Sequence, residues 1–453
     1  MTATRRLSIV QVSTCDAGGG AERIAADLHR LACEHGMRST LAVGHRFAQD
    51  SDAVLIPNDA NRSTWARAVL ELVPPLPAFH TATSPAGVVL RRTLKTIAEP
   101  RRAWRRSRGF EDFEYPGTVH IPDLGTDLAD VVHLHNLHGG YFDLRQLPII
   151  SAKVPTVITP HDTWLAAGHC AYSLDCDRWL TGCGSCPRPW VLPAIPRDKS
   201  AENWNLKRDI YRRSRIHVAA PSRWVLGQLE RSIFADAIAS SRVIPNGVDL
   251  SVFRPGDQVA SRARLGLPAD ATILVFSSAS ETNPYKDMAT IVEALPSIVA
   301  GSSGRDVLLV ALGNHKAQVS SLDARVLAIP YLRNPADVAE YLRAADLCIH
   351  MACAENHPLA VIEALACGTP VIASDVGGVG EIIMDGVSGA LVPSADADAL
   401  AATVSALIAD DTRRATMATA AAADAAARFD LCRMATEYFD LYATIAHDKE
   451  ALT

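Results

Sequence analysis

Glu355-Asn-His-Pro-Leu-Ala-Val-Ile-Glu363 runs directly into Ala364-Leu-Ala-Cys-Gly-Thr-Pro-Val-Ile372, and this stretch decides how the chain is read. It reads as loop, helix, turn and strand. Pro358 suits the first helical position, where the N–H it lacks would have no partner anyway. Leu359, Ile362, Glu363, Leu365 and Ala366 recur at helical spacing, and Gly368 stands where a left-handed cap is expected. Thr369 to Ala373 then predicts a buried parallel strand. Two carboxylates are fixed by the element, Glu355 in the loop and Glu363 inside the helix. The amides of Asn356, His357 and Leu359 face the positive end of the helix, which is a ready anion site. A carboxylate deeper in the helix can accept two hydrogen bonds from a vicinal diol. The combination suits a sugar nucleotide, with phosphate and sugar at the helix end and the ribose on Glu363.

The chain has 453 residues, more than one ordinary core, so two domains are expected. Hydrophobic residues make up 48% and charged residues 21%, a globular rather than a disordered composition. A net charge of −6 gives no reason to expect nucleic acid. No apolar run approaches the length of a membrane span. Leu7-Ser-Ile-Val10 is too short an apolar core for a signal peptide, so a cytoplasmic location is the expectation.

Glu-Asn-x-Pro before the helix and Glu363 to Ile372 after it resemble the donor-site signature of retaining GT-B glycosyltransferases of family 4. The resemblance implies two Rossmann-like domains facing an interdomain cleft, and no requirement for a divalent metal. Other segments fit it. Leu7 to Val12 reads as a first strand and Ala17-Gly18-Gly19-Gly20-Ala21 as a Gly-rich turn; an amphipathic helix from Glu22 to His35 follows. Strand, Gly-rich turn and helix let backbone amides approach a phosphate. A plain tight turn fits the glycines equally well, and the resemblance is what places Gly19 and Gly20 beside the donor.

Asp130 to His135 and Lys153 to Thr159 predict strands ending at His135-Asn136 and at Pro160-His161-Asp162. Ligands of open α/β sheets gather at the carboxyl ends of strands, so both histidines point to one rim. His161-Asp162 resembles the family's acceptor-side pair. It implies His161 at the reacting centre and Asp162 orienting or activating the acceptor hydroxyl.

Cys170, Cys176, Cys183 and Cys186 follow closely. Four near thiols can close a tetrahedral zinc site, although the spacing is not that of a standard ribbon or finger. Structural zinc, disulfides and free thiols all stay open, and a knot here would pin the loop after His161. The run from His135 to Pro187 resembles a subgroup related to colanic acid and capsule glycosyltransferases.

Residues 58–125 depart from the strand–helix rhythm. Arg91, Arg92, Lys95, Arg101, Arg102, Arg105, Arg106 and Arg108 alternate there with Leu90, Leu94, Ile97 and Trp104. Two readings stand side by side: a solvated helix pair, or a cationic surface for anionic lipid or a pyrophosphate-linked acceptor.

In the C-terminal half, Thr272 to Ser277 begins the second domain, and Lys286 lies where that strand connects to the helix Met288 to Leu295. A point charge there can neutralise a leaving diphosphate. The family commonly places an Arg some residues earlier; Ser280, Glu281 and Asn283 stand in that region here. After the strand Val326 to Pro330, Tyr331 and Leu332 occupy the place where similar enzymes hold the base. Ser374 to Glu381 reads as a Gly-rich loop entering a helix at Ile382-Ile383, and Phe429 to Ile445 as a helix crossing back to the first domain.

The domains are expected at 1–225 (acceptor side, with the basic insertion and the Cys-rich loop), 226–428 (nucleotide sugar) and 429–453 (returning helix). The expected activity is transfer of a sugar from a nucleotide diphosphate sugar to a hydroxyl of a glycan, lipid-linked or small-molecule acceptor. Glu355 would hold the donor sugar. No catalytic cofactor is implied, and the enzyme is expected in the cytoplasm or peripherally at the inner membrane face. A sugar-nucleotide epimerase on the same scaffold and a non-catalytic sugar-nucleotide-binding assembly partner are the alternatives.

Overall fold

The computed structural model describes residues 6–48, 51–73, 85–280, 283–302, 304–314 and 325–450. The chain forms two compact units. Unit 1 holds Met1–Pro221, Val225–Ile244 and Ala435–Thr453, and unit 2 holds Ser222–Trp224 and Pro245–Met434.

Unit 1 is built on β1 (Ser8–Cys15), β2 (Arg38–His45), β3 (Val54–Leu55), β4 (Val131–His135), β5 (Thr156–Thr159), β6 (Ile216–Ala220) and β7 (Ile238–Val243). Their order in the sheet is β3-β2-β1-β4-β5-β6-β7, and every pairing is parallel. Unit 2 is built on β8 (Thr272–Ser280), β9 (Val307–Asn314), β10 (Val326–Ile329), β11 (Leu347–His350), β12 (Val371–Ser374) and β13 (Gly389–Val392). Its order is β10-β9-β8-β11-β12-β13, again all parallel. In each sheet the chain winds outward on one side, then returns to the centre and winds out on the other. The reversals lie between β1 and β4 and between β8 and β11, where open α/β sheets bind ligands at the strands' carboxyl ends.

The apolar runs of the strands follow from burial on both faces. Ile273, Val275, Val310, Cys348 and Val371 pack on one face of the second sheet. Their neighbours Leu274, Phe276, Leu309, Ile349 and Ile372 pack on the other. Both units are thus Rossmann-like, as the strand–helix alternation predicts.

Several local expectations are corrected. The run from Lys153 is not one strand: Leu147–Lys153 is helical and the strand begins at Thr156. Pro155 forces the break, because the residue before a proline is driven out of the helical region, and Val154 is extended. Pro358 is the cap before the helix Leu359–Ala366, not its first residue. The loop at 374–381 ends in a 3₁₀ turn, Val379–Glu381, rather than entering a helix at Ile382-Ile383. Residues 85–107 form the helix pair Pro85–Ala98 and Pro100–Ser107. Among the described residues no helix is long and apolar enough to cross a membrane.

Candidate functional site

In unit 2 the site forms where β8 and β11 end side by side. Beyond them, Lys286 and Ala352 form an antiparallel bridge. Asp287 N donates to Met351 O at 3.0 Å, and Cys353 N donates to Tyr285 O at 2.9 Å. This small ladder fixes Lys286 against the Glu355 loop. Asp287 then caps the helix Met288–Ala300 by accepting from Thr290 N at 3.1 Å.

Lys286 Nζ pairs with Glu355 Oε1 and donates to His350 Nε2 at 3.2 Å. His350 is the last residue of β11 and is only 2% exposed. Burial, then the Lys286 ammonium, holds its imidazole below the usual value against the pull of Glu355. His350 is therefore neutral and offers Nε2 as an acceptor. Burial pushes the Glu355 carboxyl up, but Lys286 and His350 outweigh it and hold the pKa at about 2.

The following helix is short and well ended. Gly368 N donates to Leu365 O and Thr369 N to Ala364 O, both at 2.9 Å, with Gly368 at φ +77°. This is the left-handed cap expected from the sequence. Leu359 opens the helix, and Glu363 lies inside it, 7% exposed. Asn356 Oδ1 accepts from Ser222 Oγ at 2.5 Å, and His357 O accepts from Asn246 Nδ2 at 3.0 Å. The His357 ring is buried edge-on to Phe429, 5.7 Å between centroids, and burial with Arg428 and Arg433 lowers its pKa to about 3. Its imidazole packs on Phe429, and among the described residues its buried Nδ1 has no hydrogen-bond partner.

The glycine loop supports this arrangement directly. A Cβ on Gly377 (φ +59°) would lie 1.7 Å from Glu355 O, and one on Gly378 would lie 2.2 Å from Asn356 O. Only glycine lets the two loops approach so closely. Tyr331 and Leu332 follow β10, both half-buried. Asn283 closes a turn by accepting from Tyr285 N at 3.0 Å. Glu281 lies outside the described residues.

Unit 1 holds a second polar constellation. His133 and His135 sit within the fully buried β4 and must find partners there. His133 bonds Tyr442 Oη at 2.7 Å and Thr159 Oγ1 at 2.8 Å. His135 Nε2 donates to Gln11 Oε1 at 3.2 Å, because Gln11 Nε2 is already donating to Tyr442 Oη at 3.1 Å. His135 Nδ1 is then an acceptor, and His161 Nε2 donates to it at 3.0 Å. Burial, with His138 nearby and Asp162 opposing, lowers the His161 pKa to about 4, so the ring is neutral.

Asp162 is bound elsewhere. His138 Nε2 lies 2.6 Å from its Oδ2, and Trp164 N donates to its Oδ1 at 2.9 Å. Burial opposes the charge on both partners. Each nevertheless stabilises the other, so Asp162 is shifted down and His138 up, a carboxylate–imidazolium pair. His138 and His350 are the site residues that sequence reasoning passed over. The available signal was a histidine ending an apolar strand for His350, and for His138 a histidine in the loop just beyond such a strand.

The remaining expected residues divide. Gly20 opens the helix Gly20–Glu34 and Gly19 caps it; the Gly19 amide donates to Glu22 Oε2 at 3.1 Å and is already used. The four cysteines are not gathered around one point. All are free thiols, and among the described residues no three His, Cys, Asp or Glu side chains are gathered to hold an ion. Burial and neighbouring thiols push Cys170 up to about 12, and burial chiefly pushes Cys183 up to about 11. Cys183 and Ser185 adopt positive φ, and His169 bonds Cys186 Sγ at 3.3 Å and Pro193 O at 2.9 Å. The loop after His161 is pinned instead by Lys207, fully buried, whose Nζ donates to Trp164 O at 3.0 Å and Ala167 O at 2.9 Å and pairs with Glu111 at 3.1 Å.

Two family models match the chain: Glycosyltransferase Family 4 over residues 18–252 and Glycosyl transferases group 1 over residues 271–410. A D-inositol 3-phosphate glycosyltransferase of Xylanimonas cellulosilytica is 36% identical over 213 residues, 44% of this chain and 50% of the relative. D-inositol 3-phosphate glycosyltransferase 2 of Catenulispora acidiphila is 36% identical over 239 residues, 50% of this chain and 55% of the relative. The chain thus spans about half the length of these curated relatives. Among solved structures, sucrose-phosphate synthase of Thermosynechococcus elongatus aligns over 97% of this chain and 99% of its own, with TM-score 0.63 and 18% identity. Anabaena Alr3699/HepE in complex with UDP-glucose aligns over 97% and 100%, with TM-score 0.63 and 18% identity. At that identity the likeness shows the fold alone, and the fold is that of GT-B proteins.

Proposed function

The chain belongs to glycosyltransferase family 4, and from that membership we propose that it is a retaining glycosyltransferase using a nucleotide diphosphate sugar. One observation carries the reading. Lys286, Glu355 and His350 converge at the strand-order reversal of unit 2, immediately ahead of the helix Leu359–Ala366. A cation and an open helix end are what a departing diphosphate requires. In this reading Lys286 and the amides of Asn356, His357 and Leu359 meet the diphosphate. Glu355 holds the transferring sugar, Glu363 the ribose, and the backbone at Tyr331 and Leu332 the base. The UDP-glucose bound by the Anabaena neighbour supports a donor of this class.

On the acceptor side, His161 stands at the reacting centre as a neutral ring. The His138–Asp162 pair, rather than Asp162 alone, orients the acceptor hydroxyl. Retention follows from the family; Glu355 is salt-bridged and is not assigned as a covalent nucleophile. The run from His135 to Pro187 supports an acceptor related to those of colanic acid and capsule enzymes. Trp104 and Ile97, exposed beside the arginines of the helix pair, support peripheral contact with an anionic membrane at the cytoplasmic face. Failure to pellet with anionic vesicles at low salt would remove that part.

The test is release of nucleoside diphosphate from a panel of sugar nucleotides, with and without glycan acceptors. Wild-type protein should release it, and Lys286→Gln and Glu355→Gln should each lose at least about 100-fold. Release from no donor, or undiminished release in both variants, refutes the assignment. Epimerised donor without acceptor would turn the reading to an isomerase.

A further inference from the structure

A continuous chain of hydrogen bonds runs through the core of unit 1 and ends at His161. It crosses three adjacent strands, with Gln11 on β1, His133 and His135 on β4 and Thr159 on β5. Tyr438 and Tyr442 join it from the part of the helix Leu431–Glu450 that belongs to unit 1. From His161 Nε2 the first links are His135 Nδ1 at 3.0 Å, then His135 Nε2 to Gln11 Oε1 at 3.2 Å. Gln11 Nε2 meets Tyr442 Oη at 3.1 Å, and Tyr442 Oη meets His133 Nδ1 at 2.7 Å. His133 Nε2 then meets Thr159 Oγ1, and Thr159 Oγ1 meets Tyr438 Oη, both at 2.8 Å. Apart from His161, every member is buried, so the partners inside the chain decide which atom donates.

Such a chain has a direction. Burial first, then neighbouring imidazoles, hold His133 and His135 well below the ordinary histidine value. Each ring is neutral, with one donating and one accepting nitrogen, and the glutamine amide likewise has one end of each kind. Two arrangements make every link, one the reverse of the other, and bond length chooses between them. The Gln11–Tyr442 contact of 3.1 Å suits an N–H donor, because O–H donors most often close to about 2.7–2.8 Å. The Tyr442 hydroxyl donates instead to His133 Nδ1, at 2.7 Å. Gln11 thus turns its amide nitrogen to Tyr442 and its oxygen to His135, and the proton of His161 falls on Nε2. Among the described residues Nδ1 of His161 has no hydrogen-bond partner. The adjacent Asp162 is engaged by His138 and Trp164 N. The backbone at the ring is fixed too: His161 N donates to Asn136 Oδ1 at 3.3 Å, and His161 O accepts from Tyr172 Oη at 3.2 Å.

We propose that Gln11 is a positioning residue for the reacting centre: held one way round by Tyr442, it keeps the His161 proton on Nε2 and presents Nδ1 to the substrate as a bare acceptor. A bare nitrogen accepts the hydrogen of a sugar hydroxyl and has nothing to give a carboxylate or phosphate oxygen. The contact with substrate rests on the transferase reading; the place of the proton does not.

The experiment is nitrogen NMR of the full chain with isotope-labelled histidine, which reads the nitrogen of each ring that bears hydrogen. His161→Gln assigns the signal. Wild type should show His161 protonated on Nε2. Gln11→Met removes both ends of the amide at similar volume. His135 then has nothing to receive its Nε2 proton, moves it to Nδ1, and turns the His161 proton to Nδ1 as well. Tyr442→Phe frees the amide to turn over and should give both forms. Ile210→Val, a core change outside the chain, should keep the wild-type pattern. A proton on Nδ1 in wild type, an unchanged ring in Gln11→Met or Tyr442→Phe, or a changed one in Ile210→Val each overturns the proposal. Nucleoside diphosphate release should fall at least ~10-fold in Gln11→Met. Undiminished release from a ring that has switched overturns the substrate contact at Nδ1. No release from any donor, with the ring answering to Gln11 as stated, would instead overturn the transferase reading and leave the control of the ring standing.

Discussion

Glu355 keeps its charge because one ammonium and one imidazole lie against it, and the same closeness makes the trio sensitive to removal of a single member. Taking away Lys286 strands a buried carboxylate, which typically costs about 3–5 kcal/mol. Lys286→Gln should therefore melt well below wild type, and adding Glu355→Gln should recover part of the loss. A double variant less stable than Lys286→Gln alone would contradict the coupling. The two titrations also separate by pH. A carboxylate held at about 2 instead of 4.5 stabilises the fold fully above 4.5 and loses that contribution as pH falls toward 2. A histidine held at about 4 instead of 6.5 is protonated in the unfolded chain first. His161 thus costs stability as pH falls from 6.5 to 4, up to about 3 kcal/mol. Urea melts at pH 7 and 4.5 should show a smaller drop for His161→Gln than for wild type; equal drops would mean the ring is not held neutral. Residue identities at these sites were partly legible. Lys286 and Glu355 stand in recognisable loops. His350 and His138 were not legible: His350 ends an apolar strand and looks like core, and the loop residue His138 gains its role from Asp162, 24 residues on.

At the level of elements, the two glycine positions around the donor helix make different demands. Gly368 has positive φ, but its nearest neighbour to an added Cβ is at 3.5 Å, ordinary contact. Gly368→Ala should cost about 1 kcal/mol, from backbone strain alone. Gly377→Ala adds a collision with the Glu355 carbonyl to the same strain and should cost several times more, with loss of donor binding. Thermal melts and nucleoside diphosphate titration of the two variants decide; similar effects would mean the glycine loop does not support Glu355. The cap at Gly368 could be read from the sequence because it is local. The break at Lys153 is local as well, forced by Pro155. The 3₁₀ turn at Val379–Glu381 depends on where a neighbouring segment lies, and Glu381 shows why. Its carboxylate accepts from Arg223 N at 2.8 Å and Trp224 N at 2.7 Å, residues far away in the chain.

At the scale of the molecule, strand–helix alternation and doubly buried apolar runs predict two parallel sheets, and two parallel sheets are found. Which strands are neighbours, and so where each sheet reverses, does not follow from alternation. The four-cysteine spacing left zinc, disulfides and free thiols open for a related reason, since spacing along the chain says nothing of where thiols point; free thiols are what the structure shows. Unit 1 also depends on residues far from its own strands. Tyr438 and Tyr442 bond Thr159, His133 and Gln11 in the buried network beneath His161. Tyr442→Phe should leave the His133 and Gln11 side chains short of a partner and lower stability by about 1–3 kcal/mol. Unchanged urea melts would show that water replaces the hydroxyl. The ribosome delivers these tyrosines only after every residue of unit 2. The half encoded first is therefore completed last, and its histidine-bearing strand must wait, short of two hydroxyl partners, while the later half matures. A chaperone would meet this protein with its leading half still open, reversing the usual N-to-C sequence of maturation.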